Sequence, residues 1–311
     1  MTGGVGYAVI FSGQGMQHAA MLPWLAEHTL GEHKLVEQMR LDLGIDDWRT
    51  HLDDAAWASD NANAQVLLTG LNLAAWAQLS PELPAPAAVA GYSVGELASF
   101  AAAGVFEAGT ALALAGLRAR LMDRCAKRSP GGLLAVSGMD SAQIERLCAA
   151  SGCAVAIDND SHAVVIGGPN AALETAERAA QAAGAKCNRL KVAVASHTRW
   201  MHAAADEFAL ALSALPLREP QTLLFGHTGE RIATRAHAAQ ALALQIEQTV
   251  RWSVCMDHIH ARRVGCVLEV GPGAALARMW NQRFPAVPAR SADEFRSKSA
   301  IVDWVLRHAL N

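Results

Sequence analysis

Residues Gly91-Tyr92-Ser93-Val94-Gly95 form a G-x-S-x-G element. Two glycines around a serine permit a tight turn that lifts the hydroxyl out of the fold and lets the N–H of Val94 face a developing oxyanion. A serine hydroxyl attacks at neutral pH only with a base at hand, and the chain offers twelve histidines. His197, in Ala195-Ser196-His197-Thr198, stands apart because it falls where a predicted inserted segment ends, and such junctions commonly face a cleft. By position alone, a structural or surface role competes with that one. Arg118 shares a helical face with Leu114, Ala115 and Met122. A guanidinium there either binds an acidic acyl chain bidentately or snorkels at the edge of the core. Gln14, in a glycine turn, could bring its side-chain amide or a neighbouring backbone N–H to the nucleophile. His258 and His260 are two apart, so on a helix they diverge and form no metal face.

These residues need elements to position them. The apolar run at 7–11 ends in Ser12-Gly13-Gln14-Gly15 and reads as a buried strand entering a glycine turn. Helical patterns span roughly 62–79 and 108–126, and Ala87 to Ala90 followed by Glu96 to Ala103 reads as strand then helix around Ser93. Between about 129 and 195 the order is strand (131–138), helix (141–150, capped by Asp140 or Ser141), strands (154–158 and 163–167), helix (170–183, ending at Gly184) and strand (187–194). That β-α-β-β-α-β order is ferredoxin-like. The spacing predicts an α/β fold in two parts. A large α/β-hydrolase-like domain with a short parallel sheet takes residues 1–128 and 196–311, and a small ferredoxin-like subdomain takes 129–195. Val267 to Val270 is a further strand ending at Gly271-Pro272-Gly273, and the tail from about 292 is mostly helical.

With 311 residues and 52% hydrophobic content the chain can bury a sizeable core. A net charge of −3 and a pI near 6.5 argue against a polyanion partner. Six cysteines without a C-x-x-C pair read as buried small hydrophobes in a reducing compartment. Long apolar stretches are all interrupted by polar residues, and the N-terminus has no secretory pattern, so a soluble cytoplasmic protein is expected.

Taken in order, Phe11-Ser12-Gly13-Gln14-Gly15, Gln65 after Asn63-Ala64, Gly91 to Glu96, Arg118 with Met122, Asn159 before Val164-Val165-Ile166, Ser196-His197 with Met201, Gln245 ahead of Val250-Arg251-Trp252, and Glu269 to Gly273 resemble the malonyl-CoA:acyl-carrier-protein transacylase family over nearly the whole chain. The resemblance implies a Ser93 and His197 dyad, an oxyanion hole from the N–H groups of Gln14 and Val94, and Arg118 binding the malonyl carboxylate. It further implies a substrate pocket with Gln65, Met122, Asn159 and Tyr92, and a backbone carbonyl near Gln245 orienting the histidine. No bound cofactor or metal is implied. Malonyl-CoA is the donor and the thiol of an acyl carrier protein the acceptor.

Tyr92 replaces the histidine usual before the serine, Met16 a serine, and Asp158-Asn159-Asp160 an asparagine-rich segment. These changes, with Asp293-Glu294-Phe295 before a terminal helix, resemble the epsilon subunit of bacterial malonate decarboxylase, whose carrier subunit bears a dephosphocoenzyme A-derived arm. The competing readings are a transacylase of fatty acid or polyketide synthesis with a phosphopantetheine carrier, a serine esterase or thioesterase, and an inactive carrier-binding scaffold. Ala195-Ser196 before His197 leaves room for methylmalonyl as well as malonyl. Arg199, Arg262 and Arg263 are candidate contacts for an acidic carrier.

Overall fold

The computed structural model describes residues 6–25 and 33–309. The chain opens with β1 (Tyr7–Phe11), α1 (His33–Leu43), α2 (Trp48–His51), α3 (Ala55–Ser59), α4 (Asn61–Leu79), β2 (Ala88–Gly91), α5 (Gly95–Ala102) and α6 (Ala108–Arg128). It continues through β3 (Gly131–Ser137), α7 (Ser141–Ser151), β4 (Ala154–Asp160), β5 (Ala163–Pro169), α8 (Asn170–Ala182) and β6 (Lys186–Arg189). The last part holds α9 (His202–Ser213), β7 (Leu224–Phe225), β8 (Arg231–Ile232), α10 (Arg235–Leu244), β9 (Val250–Arg251), α11 (Trp252–His260), β10 (Cys266–Val270), α12 (Ala275–Arg283), β11 (Ala289–Ser291) and α13 (Lys298–Ala309). None of the helices among the described residues is long and apolar enough to cross a membrane.

The larger sheet has the order β11-β10-β1-β2-β7-β8, parallel throughout except for β8. Helices cover both faces, so its central strand is buried along its length, as a parallel sheet requires. Successive residues feed opposite cores: Tyr7, Val9 and Phe11 join one apolar cluster, Ala8 and Ile10 the other. Because β1, β2 and β10 run parallel, their C-terminal ends lie together, and the loops after Phe11, Gly91 and Val270 meet at one edge.

The second sheet has the order β6-β3-β5-β4-β9. Its first four strands are antiparallel and carry α7 and α8 on one face, the ferredoxin-like order predicted from the sequence. Asp140 caps α7 in a reciprocal pair with Gln143, and Gly152 ends that helix in the left-handed region at φ 81°. Leu133, Ala135, Ile157 and Val165 turn from the opposite face toward the larger sheet. β9, contributed by the chain after residue 196, pairs parallel to β4 and extends this sheet.

The predicted strand at 187–194 is shorter: β6 stops at Arg189. Leu190 still donates to the Leu133 carbonyl, but the chain then leaves the sheet. Its alternating apolar residues Leu190 and Val192 face the space between the sheets, which is why they read as a strand in sequence.

Candidate active site

The nucleophile elbow forms where β2 passes into α5. Ser93 has φ 54°, a left-handed conformation rare for a residue with a side chain and costing of order 1–3 kcal/mol. The glycines on either side allow close approach: a Cβ on Gly91 would run into the Gly95 carbonyl, and one on Gly95 into the Phe11 carbonyl. Both obstructions are backbone and cannot swing away. Gly95→Ala is expected to destabilise the protein by about 3 kcal/mol, read as a lower denaturant midpoint; an unchanged midpoint would contradict this packing.

His197 is 104 residues away in sequence, also left-handed at φ 61°, and its Nε2 lies 2.8 Å from Ser93 Oγ. Its Nδ1 is 2.6 Å from the Gln245 carbonyl, and its backbone N–H donates to the Ile246 carbonyl at 2.8 Å. A carbonyl only accepts, so Nδ1 carries the proton and Nε2 offers its lone pair to the serine hydroxyl. That is the tautomer a base needs. Burial, reinforced by the nearby Arg118 charge, pushes the His197 pKa down to about 3, against the pull of the Gln245 carbonyl. The imidazole is neutral at physiological pH.

Arg118 is 3% exposed, and its Nη1 and Nη2 each donate at 2.7 Å, to the side-chain oxygens of Gln65 and Gln245. Gln65 is fixed in turn by Asn61 Oδ1 at 2.8 Å and Met122 Sδ at 3.4 Å. Burial lowers the guanidinium pKa to about 10, still charged, with Glu96 opposing the shift. Burial, aided by Glu230, holds the Glu96 carboxyl well above the carboxylate range. Arg118, Gln65, Met122 and Gln245 thus form a polar layer behind Ser93 and His197 and do not line the open cleft.

The cleft between the sheets encloses about 340 Å³. Ser12 to Met16, Tyr92, Ser93, Asn159 and His197 line it, with α12 forming another wall. Gln14 follows β1 at this edge and Val94 caps the N-terminus of α5; neither backbone N–H donates to another described residue. The Tyr92 hydroxyl donates to Asn159 Oδ1 at 3.0 Å, joining the elbow to β4. Burial raises the Tyr92 pKa to about 12, so it remains a donor.

Gln245 is the residue whose reach the sequence concealed. Its carbonyl orients His197, its Oε1 accepts from Arg118, and its Nε2 donates to the Ser93 carbonyl at 2.6 Å. The family resemblance implies only the backbone contact. Glu96, buried beside Arg118, was equally hidden, since an acidic residue in the first helical turn ordinarily serves the helix dipole.

Arg262 and Arg263 require correction as candidate carrier contacts. They precede β10, at the end of the parallel sheet opposite Ser93, roughly 17 Å away by strand length. Arg199 is exposed, stacked 4.2 Å over Trp200 and bonded to the Gly152 carbonyl.

Residues 8–298 match the family described as acyl transferase domain. The malonyl CoA-acyl carrier protein transacylase of Salmonella typhimurium (strain LT2) is 30% identical over 304 residues, spanning 94% of this chain and 98% of that protein. This chain belongs to the malonyl-CoA:acyl-carrier-protein transacylase family. Another family member, from Mycobacterium tuberculosis (strain H37Rv), is 31% identical over 291 residues, covering 91% of this chain and 95% of that one. The crystal structure of FabD from Acinetobacter baumannii superposes with a TM-score of 0.88 at 28% identity, over 98% of this chain and 99% of that one. The structure of a type II PKS acyl-carrier protein in complex with its malonyl-transacylase superposes with a TM-score of 0.88 at 27% identity, over 96% of this chain and 99% of that one.

Proposed function

We propose that the protein transfers a malonyl group from malonyl-CoA to the thiol of an acyl carrier protein through a malonyl ester of Ser93. The observation that carries this reading is the 2.8 Å contact between Ser93 Oγ and the lone-pair nitrogen of His197, with a buried, charged Arg118 behind it. Ser93 attacks the thioester carbonyl while His197 Nε2 takes the hydroxyl proton. The N–H groups of Gln14 and Val94 stabilise the oxyanion. Collapse expels coenzyme A, whose sulfur takes the proton from His197. The carrier thiol then gives its proton to the same nitrogen and attacks the ester; collapse breaks the bond from the acyl carbon to Ser93 Oγ, which takes the proton back from His197, and the carrier leaves with the malonyl group.

Arg118 receives the malonyl carboxylate, which replaces the amide oxygens of Gln65 and Gln245 on the guanidinium. Met122 backs Gln65, and Asn159, held by Tyr92, presents its amide to the substrate arm. In this reading residues 129–195 act as a subdomain closing on the domain formed by 1–128 and 196–311. Neither step calls for a resident cofactor.

Within this activity we favour the malonate decarboxylase branch, with its dephosphocoenzyme A-derived carrier arm, over fatty acid or polyketide synthesis. Tyr92, Met16, Asp158-Asn159-Asp160 and Asp293-Glu294-Phe295 support that choice. A carrier of each type, offered to the malonylated protein, separates the two.

The deciding experiment is intact-protein mass spectrometry after mixing malonyl-CoA with wild type and with Ser93→Ala. A gain of one malonyl group on wild type alone, lost on adding holo-carrier as the carrier gains it, is the expected outcome. Free malonate as the main product would make the protein a hydrolase. Binding without an adduct would make it a scaffold.

A further inference from the structure

The segment from Ser12 to Leu25 carries Gln14, one donor of the proposed oxyanion hole, yet contains no helix or strand. Its shape therefore depends on contacts from outside. Its start is secured by Ser12 N–H on the Val270 carbonyl and by Asn72 Nδ2 on the Ser12 carbonyl, both 3.0 Å. Its far end is gripped by Arg49, whose Nη1 donates to the carbonyls of Ala19 at 3.0 Å and Met21 at 2.8 Å.

Asp293 supplies the opposite charge to the same loop. Its side chain is 6% exposed and accepts three hydrogen bonds: Leu22 N–H on Oδ1 at 2.5 Å, and Gly273 N–H at 2.6 Å and His18 Nε2 at 2.9 Å on Oδ2. Leu22 sits at φ 48°, a strained conformation that must be held by its surroundings. Gly273 belongs to the turn after β10, and Met16 packs so closely on it that a Cβ there would meet Met16 Cβ at 2.7 Å. One carboxylate thus fixes the end of the loop and the turn on which its middle rests. Gln14 lies between these fixed points.

We propose that Asp293 is a positioning residue for the oxyanion loop, holding the Gln14 N–H where charge develops on the acyl oxygen. This rests on the serine acyl-transfer reading above. The oxyanion hole acts in the transition state, so loosening it should lower kcat and leave KM nearly unchanged.

The test uses Asp293→Asn and Asp293→Ala in the full chain. Trp24→Phe is the control: it removes the 2.7 Å bond from Trp24 Nε1 to the Ala292 carbonyl at the same junction but leaves the carboxylate bonds intact. The pre-steady-state burst of p-nitrophenol from p-nitrophenyl acetate reports Ser93 acylation without requiring malonyl recognition, and malonyl-CoA turnover is measured alongside. Both Asp293 variants should slow the burst and malonyl kcat about 10- to 100-fold at nearly constant KM. Trp24→Phe should lower the melting temperature without slowing either. Asp293 variants that lose only thermal stability, that raise KM at unchanged kcat, or that match Trp24→Phe would overturn the proposal. A wild-type burst without malonyl transfer would instead refute the substrate assignment, with the burst comparison still deciding the role of Asp293.

Discussion

Arg118→Ala should lower kcat/KM for malonyl-CoA by about 10²- to 10⁴-fold while leaving any reaction with acetyl-CoA nearly unchanged. A buried, bidentate guanidinium–carboxylate pair is worth roughly 3–5 kcal/mol when one partner is removed, and each 1.4 kcal/mol is about tenfold. Arg118 has the geometry for such a pair, because its two terminal nitrogens already hold two oxygens at 2.7 Å each. Acetyl lacks the carboxylate and has nothing to lose. The substitution also strips the side-chain oxygens of Gln65 and Gln245 of their donor and leaves Glu96 without its nearby positive charge. Melting temperature must therefore be measured alongside, and Arg118→Lys included, which keeps the charge without the planar fork. Lysine should recover part of the loss. Equal losses for malonyl and acetyl donors would mean that Arg118 supports the site and does not select the substrate.

His197→Ala should slow acylation of Ser93 by about 10⁴-fold, since the serine then has no base and only the oxyanion hole remains. The wild-type pH profile carries a second signature. Burial and the Arg118 charge keep the His197 pKa near 3, so the base form persists across neutral and mildly acidic pH. Acylation should stay flat as pH falls from 8 to about 5 and be lost only as pH approaches the folded pKa. Stability follows the same sign. The folded pKa lies below the ordinary histidine value of about 6.5, so the unfolded chain binds a proton first, and stability present above pH 6.5 erodes as pH falls toward 3. An acylation midpoint near pH 6.5 would show that the imidazole is more hydrated than its burial implies. Stopped-flow acylation over this range, paired with denaturation at each pH, tests both statements.

The two variants probe different layers of one network. Gln245 connects them: its carbonyl holds His197, and its side chain spans Arg118 and the Ser93 backbone. In the proposed reaction a carboxylate arriving at Arg118 competes with the Gln245 amide oxygen for the guanidinium, and the same amide also touches the nucleophile elbow. On that proposal, recognition of the acyl chain and alignment of the serine share a residue. This coupling makes non-additive effects the expected result when Arg118 and Gln245 are changed together.

By itself, the sequence determined the elements and the elbow. Glycines at 91 and 95 around Ser93, between an apolar run and a helical pattern, are local signals, and local sterics enforce them wherever the chain lies. The β-α-β-β-α-β order was legible for the same reason, because alternation, caps and Gly152 act within a few residues. His197 is one of twelve histidines; its place at the end of the predicted inserted segment singles it out, but a structural role competes by position alone, and only the resemblance implies that it is the base. Tertiary structure decided what depends on distant segments meeting. It brought together Ser93 and His197, 104 residues apart, and placed Gln245 at the centre of three contacts. It moved Leu190 and Val192 from an expected strand to a cleft wall, and set Arg262 and Arg263 at the wrong end of a parallel sheet. It also tied Asp293 to a loop more than 270 residues earlier. The division is physical. Turn sterics and periodicity are written in neighbouring residues, whereas hydrogen bonds between segments exist only once strand order has fixed which chain ends share an edge.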